Sequence, residues 1–404
     1  MTMRKNFFPA FIFSLVFFAS GIFGADYSSA IDRYLDSMDD IRKISQMFLV
    51  NIEGNKTYRS VEFLPDGTPV VPGGVLLFSY NVAETPKGIM EFTSSIEKYC
   101  IENEIPNAYV AIDQEGGNVN RLREITSRLP SNQKVAENFH AEQSTALYSF
   151  QAKQMKSLGI TMNLAPVIEP VIDSNREFLG NRSFGPAPVS IVYSMKCIAA
   201  YEKNGIASVV KHFPGNTNTD PHTGLPVIDL NDGDFEMYCL VPFAFAITQS
   251  PSAVLMSHTI VKGQDEKSPA CLSFHWINDV LKGELGYEGL VISDDIFMGA
   301  LADFGYPPEV AVVQAVKAGT DILMLSEKKF LYAVQMLIEK KSQDKVIEEK
   351  INQAVKRIIE FKLKKGVLSI DSGGNIENRS VLSNKSIEER LEDFYSAKKN
   401  GDEI

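Results

Sequence analysis

The chain reads as an α/β protein, a (β/α)8 barrel of the TIM type, and three observations predict it. Eight apolar runs of strand length, rich in Val, Ile and Leu and without polar alternation, recur between Phe48 and Leu325, as strands buried on both faces do. Stretches long enough for a helix separate them, which is the alternation of a parallel sheet closed by helices. Polar residues gather where several runs end, at Asp113-Gln-Glu-Gly-Gly, Lys211-His212, Ser257-His258 and Ser293-Asp294-Asp295, and this fold carries its active sites at that end of its strands. A doubly wound open sheet would want a Gly-rich phosphate loop after its first strand, and the sequence has none.

Taken in order, the first residues are basic (Met1-Thr-Met-Arg-Lys) and lead into an apolar run, 7–18, and a small-residue patch, Ala19-Ser-Gly. That layout predicts a signal peptide over residues 1–24 and an exported protein, periplasmic or extracellular, with a retained N-terminal anchor as the alternative. Residues 31–47 place Ile31, Leu35, Met38, Ile41 and Ile44 at helical spacing and predict one amphipathic helix leading into the barrel. The strands are expected at 48–52, 74–79, 108–113, 162–168, 207–212, 253–258, 289–294 and 321–325. Helices are expected at 143–158, 189–204, 276–285 and 308–318, and a last one, 351–365, closes a catalytic domain spanning residues 25–365. Residues 366–404 read as a polar C-terminal tail, with a hinge at Ser372-Gly-Gly and a charged helical stretch at 386–399, peripheral or partly disordered.

Composition narrows the partners. The 404 residues are 44% hydrophobic and 23% charged, an ordinary globular balance. A net charge of −11 argues against nucleic acid, because counterion release needs a basic surface. A small neutral or amphiphilic substrate fits better. Cys100, Cys197, Cys239 and Cys271 are scattered without C-x-x-C spacing, so no metal site is expected and the thiols read as small buried hydrophobes, a bridge between one pair remaining open in an exported chain.

The stretch 211–226, Lys-His-Phe-Pro-Gly-Asn-Thr-Asn-Thr-Asp-Pro-His-Thr-Gly-Leu-Pro, holds two of the five histidines, with Asp220 two residues before His222. A pocket of Asp113, Lys211, His212, Asp294 and a loop-borne Asp220/His222 has the parts for sugar chemistry. A retaining glycosidase needs a carboxylate to attack the anomeric carbon and a group that first gives and then takes a proton. A His oriented by an Asp can do the second task, since its unperturbed pKa is about 6.5. The simpler readings are that Asp294-Asp295 caps a helix, that Arg121 and Arg182 form structural ion pairs, that His258 is a core or rim histidine with no partner nearby, and that Trp276 is core.

Five stretches in order carry a resemblance: Asp113-Gln-Glu-Gly-Gly-x-Val-x-Arg121, Leu158-Gly-Ile-Thr-Met-Asn-Leu-Ala-Pro, Asn181-Arg-Ser-Phe-Gly, Lys211-His-Phe-Pro-Gly, and Leu285-Gly-Tyr-Glu-Gly-Leu-Val-Ile-Ser-Asp-Asp-Ile-x-Met. From about Leu35 to Lys365 the chain resembles the single-domain β-N-acetylglucosaminidases of glycoside hydrolase family 3. The resemblance implies Asp294 as nucleophile, His222 as general acid/base with Asp220 as its partner, and Asp113, Arg121, Arg182, Lys211 and His212 as the groups that hold the sugar. It implies no metal or organic cofactor, and a small glycan such as a peptidoglycan fragment as substrate. The sequence departs from the family pattern in Asn216-Thr217, where His-Gly is usual, in a shorter path to Asp220-Pro-His222, and in Asn118, where Arg is common. Three alternatives follow: transfer of the sugar to phosphate by a phosphorylase, action on β-glucosides, or a sugar-binding barrel that no longer catalyses.

Overall fold

The computed structural model describes residues 24–220 and 224–404. The expected signal segment up to residue 23, and His222, therefore lie outside the described residues. The eight strands are β1 (Phe48–Asn51), β2 (Gly74–Leu77), β3 (Tyr109–Ile112), β4 (Met162–Asn163), β5 (Ala207–Phe213), β6 (Ala253–Met256), β7 (Leu290–Ile292) and β8 (Leu323–Leu325). From β1 to β7 each pairs in parallel with the next, and β1 pairs with β8 in the register Phe48 to Leu323.

The seam between β7 and β8 is closed by one bridge, Ile292 to Ile322, and by side chains that extend it. Val291 N donates to Asp321 Oδ2 at 2.9 Å and Met324 N to Ser293 Oγ at 3.1 Å. Asp321 is wholly buried, and Arg357 Nε meets it at 2.8 Å. At the opposite end Tyr109 fills the barrel floor edge-on to Phe361, with ring centroids 5.4 Å apart. Gly74 makes room for it, because a Cβ there would stand 2.2 Å from the Tyr109 ring.

The helices on the outer face include α1 (Gly24–Asp36), α2 (Asp40–Ser45), α3 (Pro86–Glu102), α4 (Ala141–Ser157), α5 (Ala187–Lys203), α6 (Val241–Ile247), α7 (His275–Glu284, wound as a π-helix), α8 (Pro308–Ala318), α9 (Leu331–Gln343) and α10 (Lys345–Lys364). Two expectations need correction. The single helix over 31–47 is two, because Asp39 caps the second: its Oδ1 accepts from Arg42 N at 2.7 Å and stops the first from running on. The strand-helix alternation also skips once, since residues 52–73 join β1 to β2 without a helix. Among the described residues no helix is long and apolar enough to cross a membrane. All four cysteines are free and buried, and Trp276 is core.

The C-terminal segment is not peripheral. Residues Ser369–Ile370 and Ile376–Glu377 pair antiparallel, and α11 (Ile387–Asp402) starts on a capping box in which Ser386 and Glu389 exchange side-chain to backbone bonds. That helix docks on α4 and α3. Phe394 is fully buried, and Gly401 lets the helix end approach Ser127, whose Oγ would stand 2.6 Å from a Cβ. Phe394→Ala is therefore expected to cost about 3–5 kcal/mol in urea unfolding. A loss below about 1 kcal/mol would mean that the helix does not stay docked.

Candidate active site

The carboxyl ends of β3 and β5 carry a buried charge cluster. Lys211 Nζ lies 2.8 Å from Asp113 Oδ1 and 2.7 Å from Glu115 Oε1. Arg182 takes Glu115 with both prongs, Nε to Oε2 at 2.8 Å and Nη2 to Oε1 at 2.9 Å, the planar geometry that only Arg offers a carboxylate. Burial works against the charge on Glu115, but Lys211 and Arg182 outweigh it and hold its carboxyl well below the usual range. Asp113 goes the other way: burial and the neighbouring Glu115 raise it although Lys211 pulls it down. Two cations thus anchor on Glu115, whose side chain is 1% exposed, while Asp113 at 26% is the carboxylate that still faces solvent.

The turn after β3 is built to hold this geometry. Gln114 N donates to Asn163 Oδ1 at 3.0 Å and Asn163 Nδ2 returns to Gln114 O at 2.9 Å, so the ends of β3 and β4 are clamped together. Gln114 Nε2 meets Asn120 Oδ1 at 2.8 Å, which fixes the approach to Arg121. Gly116, with φ +99°, passes so close to the chain that a Cβ would stand 2.2 Å from Pro130 O. Arg121 stacks its guanidinium 5.8 Å over the Phe78 ring. It does not join the Glu115 cluster.

Glu169, just past β4, organises the end of β5. Its Oε1 lies 2.7 Å from His212 Nδ1 and accepts from His212 N at 3.2 Å, and its Oε2 accepts from Asn216 N at 2.6 Å. A carboxylate on Nδ1 orients the ring and leaves Nε2 as the free face. Phe178 packs between Arg182 and His212, 5.7 Å and 6.5 Å away. Asn216, in the pair that stands where His-Gly is usual, and Asn218 after it have structural work of their own. Asn216 bonds Glu169, and Asn218 ties the loop base to the 173–178 turn, accepting from Glu177 N at 2.9 Å and donating to Asp173 O at 3.0 Å. Asp220 follows, exposed, at the edge of the described loop.

At the end of β7, Asp294 N donates to Met256 O at 3.2 Å and its Oδ1 accepts from Asp295 N at 2.8 Å. Burial would raise its pKa, but His258, His212 and Lys211 nearby bring it below the ordinary carboxylate value. Asp294 has no salt-bridge partner among the described residues, so its charge is held by the field of the pocket and not consumed by one cation. The capping role falls to Asp295, whose Oδ1 accepts from Phe297 N at 3.1 Å and Ser326 N at 3.2 Å. His258 does have neighbours, contrary to the expectation from sequence. Its Nδ1 lies 3.1 Å from Cys271 Sγ, and burial lowers its pKa although Asp294 and Asp295 act to raise it.

The structure therefore brings Asp113, Arg182 and Lys211 into one cluster and couples His212 and Asp294 to it electrostatically. Arg121 stands apart on Phe78. Glu115, Glu169 and His258 belong to the site and were not singled out from sequence as site residues. Glu115→Ala is expected to destabilise the fold by about 3–5 kcal/mol, because it leaves the buried Lys211 on Asp113 alone and takes from the half-buried Arg182 its bidentate partner. The folded-state pKa of Glu115 is depressed, so its contribution is present above the carboxylate range and lost as pH falls through it. Guanidinium unfolding of both proteins at neutral and acid pH reads both effects, and the gap should narrow in acid.

Residues 41–361 match the family model described as the glycosyl hydrolase family 3 N terminal domain. The chain belongs to glycoside hydrolase family 3. Among its relatives, a β-hexosaminidase A of Pseudoalteromonas piscicida is 29% identical over 321 residues, which is 72% of this chain and 53% of that protein. The chain thus spans about half the length of that relative. A β-hexosaminidase of Alkalilimnicola ehrlichii is 34% identical over 262 residues, 63% of this chain and 73% of the relative. Among solved structures, a family 3 β-N-acetylglucosaminidase from Paenibacillus sp. superposes with a TM-score of 0.75 at 27% identity, over 90% of this chain and 69% of that one. Family 3 membership agrees with the motif resemblance and with the barrel.

Proposed function

We propose that this chain is a retaining, exo-acting β-N-acetylglucosaminidase that removes terminal β-linked N-acetylglucosamine from small glycans, peptidoglycan fragments among them. The observation that carries the reading is Asp294: a carboxylate at a strand end, with no salt-bridge partner among the described residues, whose pKa is lowered by His258, His212 and Lys211, the last of which also holds Asp113 and Glu115. The names of the β-hexosaminidase relatives support the substrate class.

In this reading Asp294 attacks the anomeric carbon while the leaving-group oxygen takes a proton from His222, partnered by Asp220. The glycosyl–Asp294 ester is then opened by a water whose proton returns to His222. Asp113, Lys211, Arg182 and His212 hold the sugar hydroxyls, and Arg121 closes one side. A basic and then apolar start in residues 1–24 supports export of the mature chain. The test is turnover of aryl β-N-acetylglucosaminide and aryl β-glucoside, with and without phosphate, following the anomer of the first-formed product by NMR. Preference for the glucoside, a sugar 1-phosphate product, an inverted product, or no turnover would each overturn the proposal.

A further inference from the structure

We propose a second binding site, at the base of the barrel, for a small polyvalent oxyanion of the phosphate type. It lies at the opposite end from Asp294, in a cavity of about 310 Å³ reached by the segments that enter β3, β4 and β5 and closed on one side by Ser380, Leu382 and Arg390 of the C-terminal segment. The lining carries four cations, Lys156, Lys364, Lys365 and Arg390, against one carboxylate, Glu97. In a chain of net charge −11 such a concentration of positive charge is a local exception.

Only part of that charge is already used. Lys365 pairs with Glu202, and Glu97 is engaged by Ser380 through N at 2.7 Å and Oγ at 2.8 Å. Among the described residues neither Lys156 nor Lys364 has a carboxylate within salt-bridge distance. Lys156 folds over Gly205, with Nζ 2.9 Å from where a Cβ would stand, so the glycine is what allows the ammonium to lie there. Arg390, 5% exposed, donates from Nε to Ser157 O at 2.9 Å and from Nη1 to Ser94 Oγ at 2.8 Å, while its Nη2 has no partner.

An orphaned guanidinium N–H is uncommon in a folded core. Lys156 and Lys364 are themselves exposed, so the focusing of field by low-dielectric walls applies to the buried Arg390. An oxyanion between Lys156, Lys364 and Arg390 would meet two unpaired ammonium groups and the field of a buried guanidinium. It would also join the C-terminal segment to the barrel, because Arg390 belongs to α11 and Lys156 to α4.

The test is the melting temperature of the full chain in millimolar inorganic phosphate against chloride at matched ionic strength. Phosphate should raise it by about 2–4 °C in the wild type. The double variant Lys156→Gln/Lys364→Gln should melt like the wild type in chloride and lose the rise in phosphate, whereas Asp294→Asn should keep it. No rise in the wild type, or a rise that survives in the double variant, overturns the site, and neither outcome depends on whether the chain hydrolyses hexosaminides.

Discussion

Asp294→Ala is expected to lower kcat/KM for an aryl β-N-acetylglucosaminide by about ten-thousandfold or more, because losing a nucleophile removes the covalent route itself. The expectation rests on placement. Backbone bonding to Met256 fixes Asp294 at the end of β7, and Asp295 carries the turn-capping bonds, so the Ala variant should fold and melt close to the wild type. Azide should then separate a missing nucleophile from a damaged pocket. It is small enough to enter the space left by the carboxylate and attacks the anomeric carbon from the same face, displacing the phenolate. The product is a glycosyl azide of inverted configuration, and activity should recover as azide is added. A variant that retains more than about a hundredth of wild-type activity without azide would remove Asp294 from the nucleophile role.

What could be read in advance follows from which interactions are local. Strands buried on both faces announce themselves as apolar runs, so all eight were legible, but most of their ends were overdrawn, β5 alone running one residue further than expected, to Phe213. The run 162–168 supplies a strand only at Met162–Asn163, because Ala165 N turns back to Asn163 O at 2.8 Å, and pairing with β5 resumes only as one bridge, Val167 to Lys211. Asp113, Lys211, His212 and Asp294 were legible because each ends such a run with a polar residue. Glu115 was in plain view inside Asp113-Gln-Glu-Gly-Gly, yet its importance lies in Arg182 and Lys211, far along the chain. Glu169 is likewise defined by His212 and Asn216, and one sequence carries no record of such pairings. The C-terminal segment reads as peripheral or partly disordered because its polar composition hides a single anchoring face, with Arg390, Phe394 and Ala397 turned inward.

Lys362→Met should change how stability depends on pH. Lys362, in α10, is wholly buried, and among the described residues its Nζ meets two neutral acceptors, Gln46 Oε1 and Asn107 O, both at 2.6 Å, beside the Tyr109 ring at 5.8 Å. Burial pushes its pKa down to about 7 from 10.5, and among the described residues no carboxylate stands within salt-bridge distance to reverse that. The unfolded chain keeps this lysine protonated up to about pH 10.4, whereas the folded chain releases the proton above about pH 7. Between those values the unfolded state binds more protons, so the wild type gains stability as pH rises through that window and is nearly indifferent to it below. At about 1.36 kcal/mol per pH unit the gain is on the order of 5 kcal/mol across the window. Methionine removes the proton and leaves two acceptors to be re-satisfied, at a cost of about 1–3 kcal/mol each that does not vary with pH. The stability of the variant minus that of the wild type should therefore fall steadily from neutral to alkaline pH in denaturant unfolding, whatever its sign at pH 7. A difference that stays flat would mean that Lys362 remains charged in the folded barrel throughout.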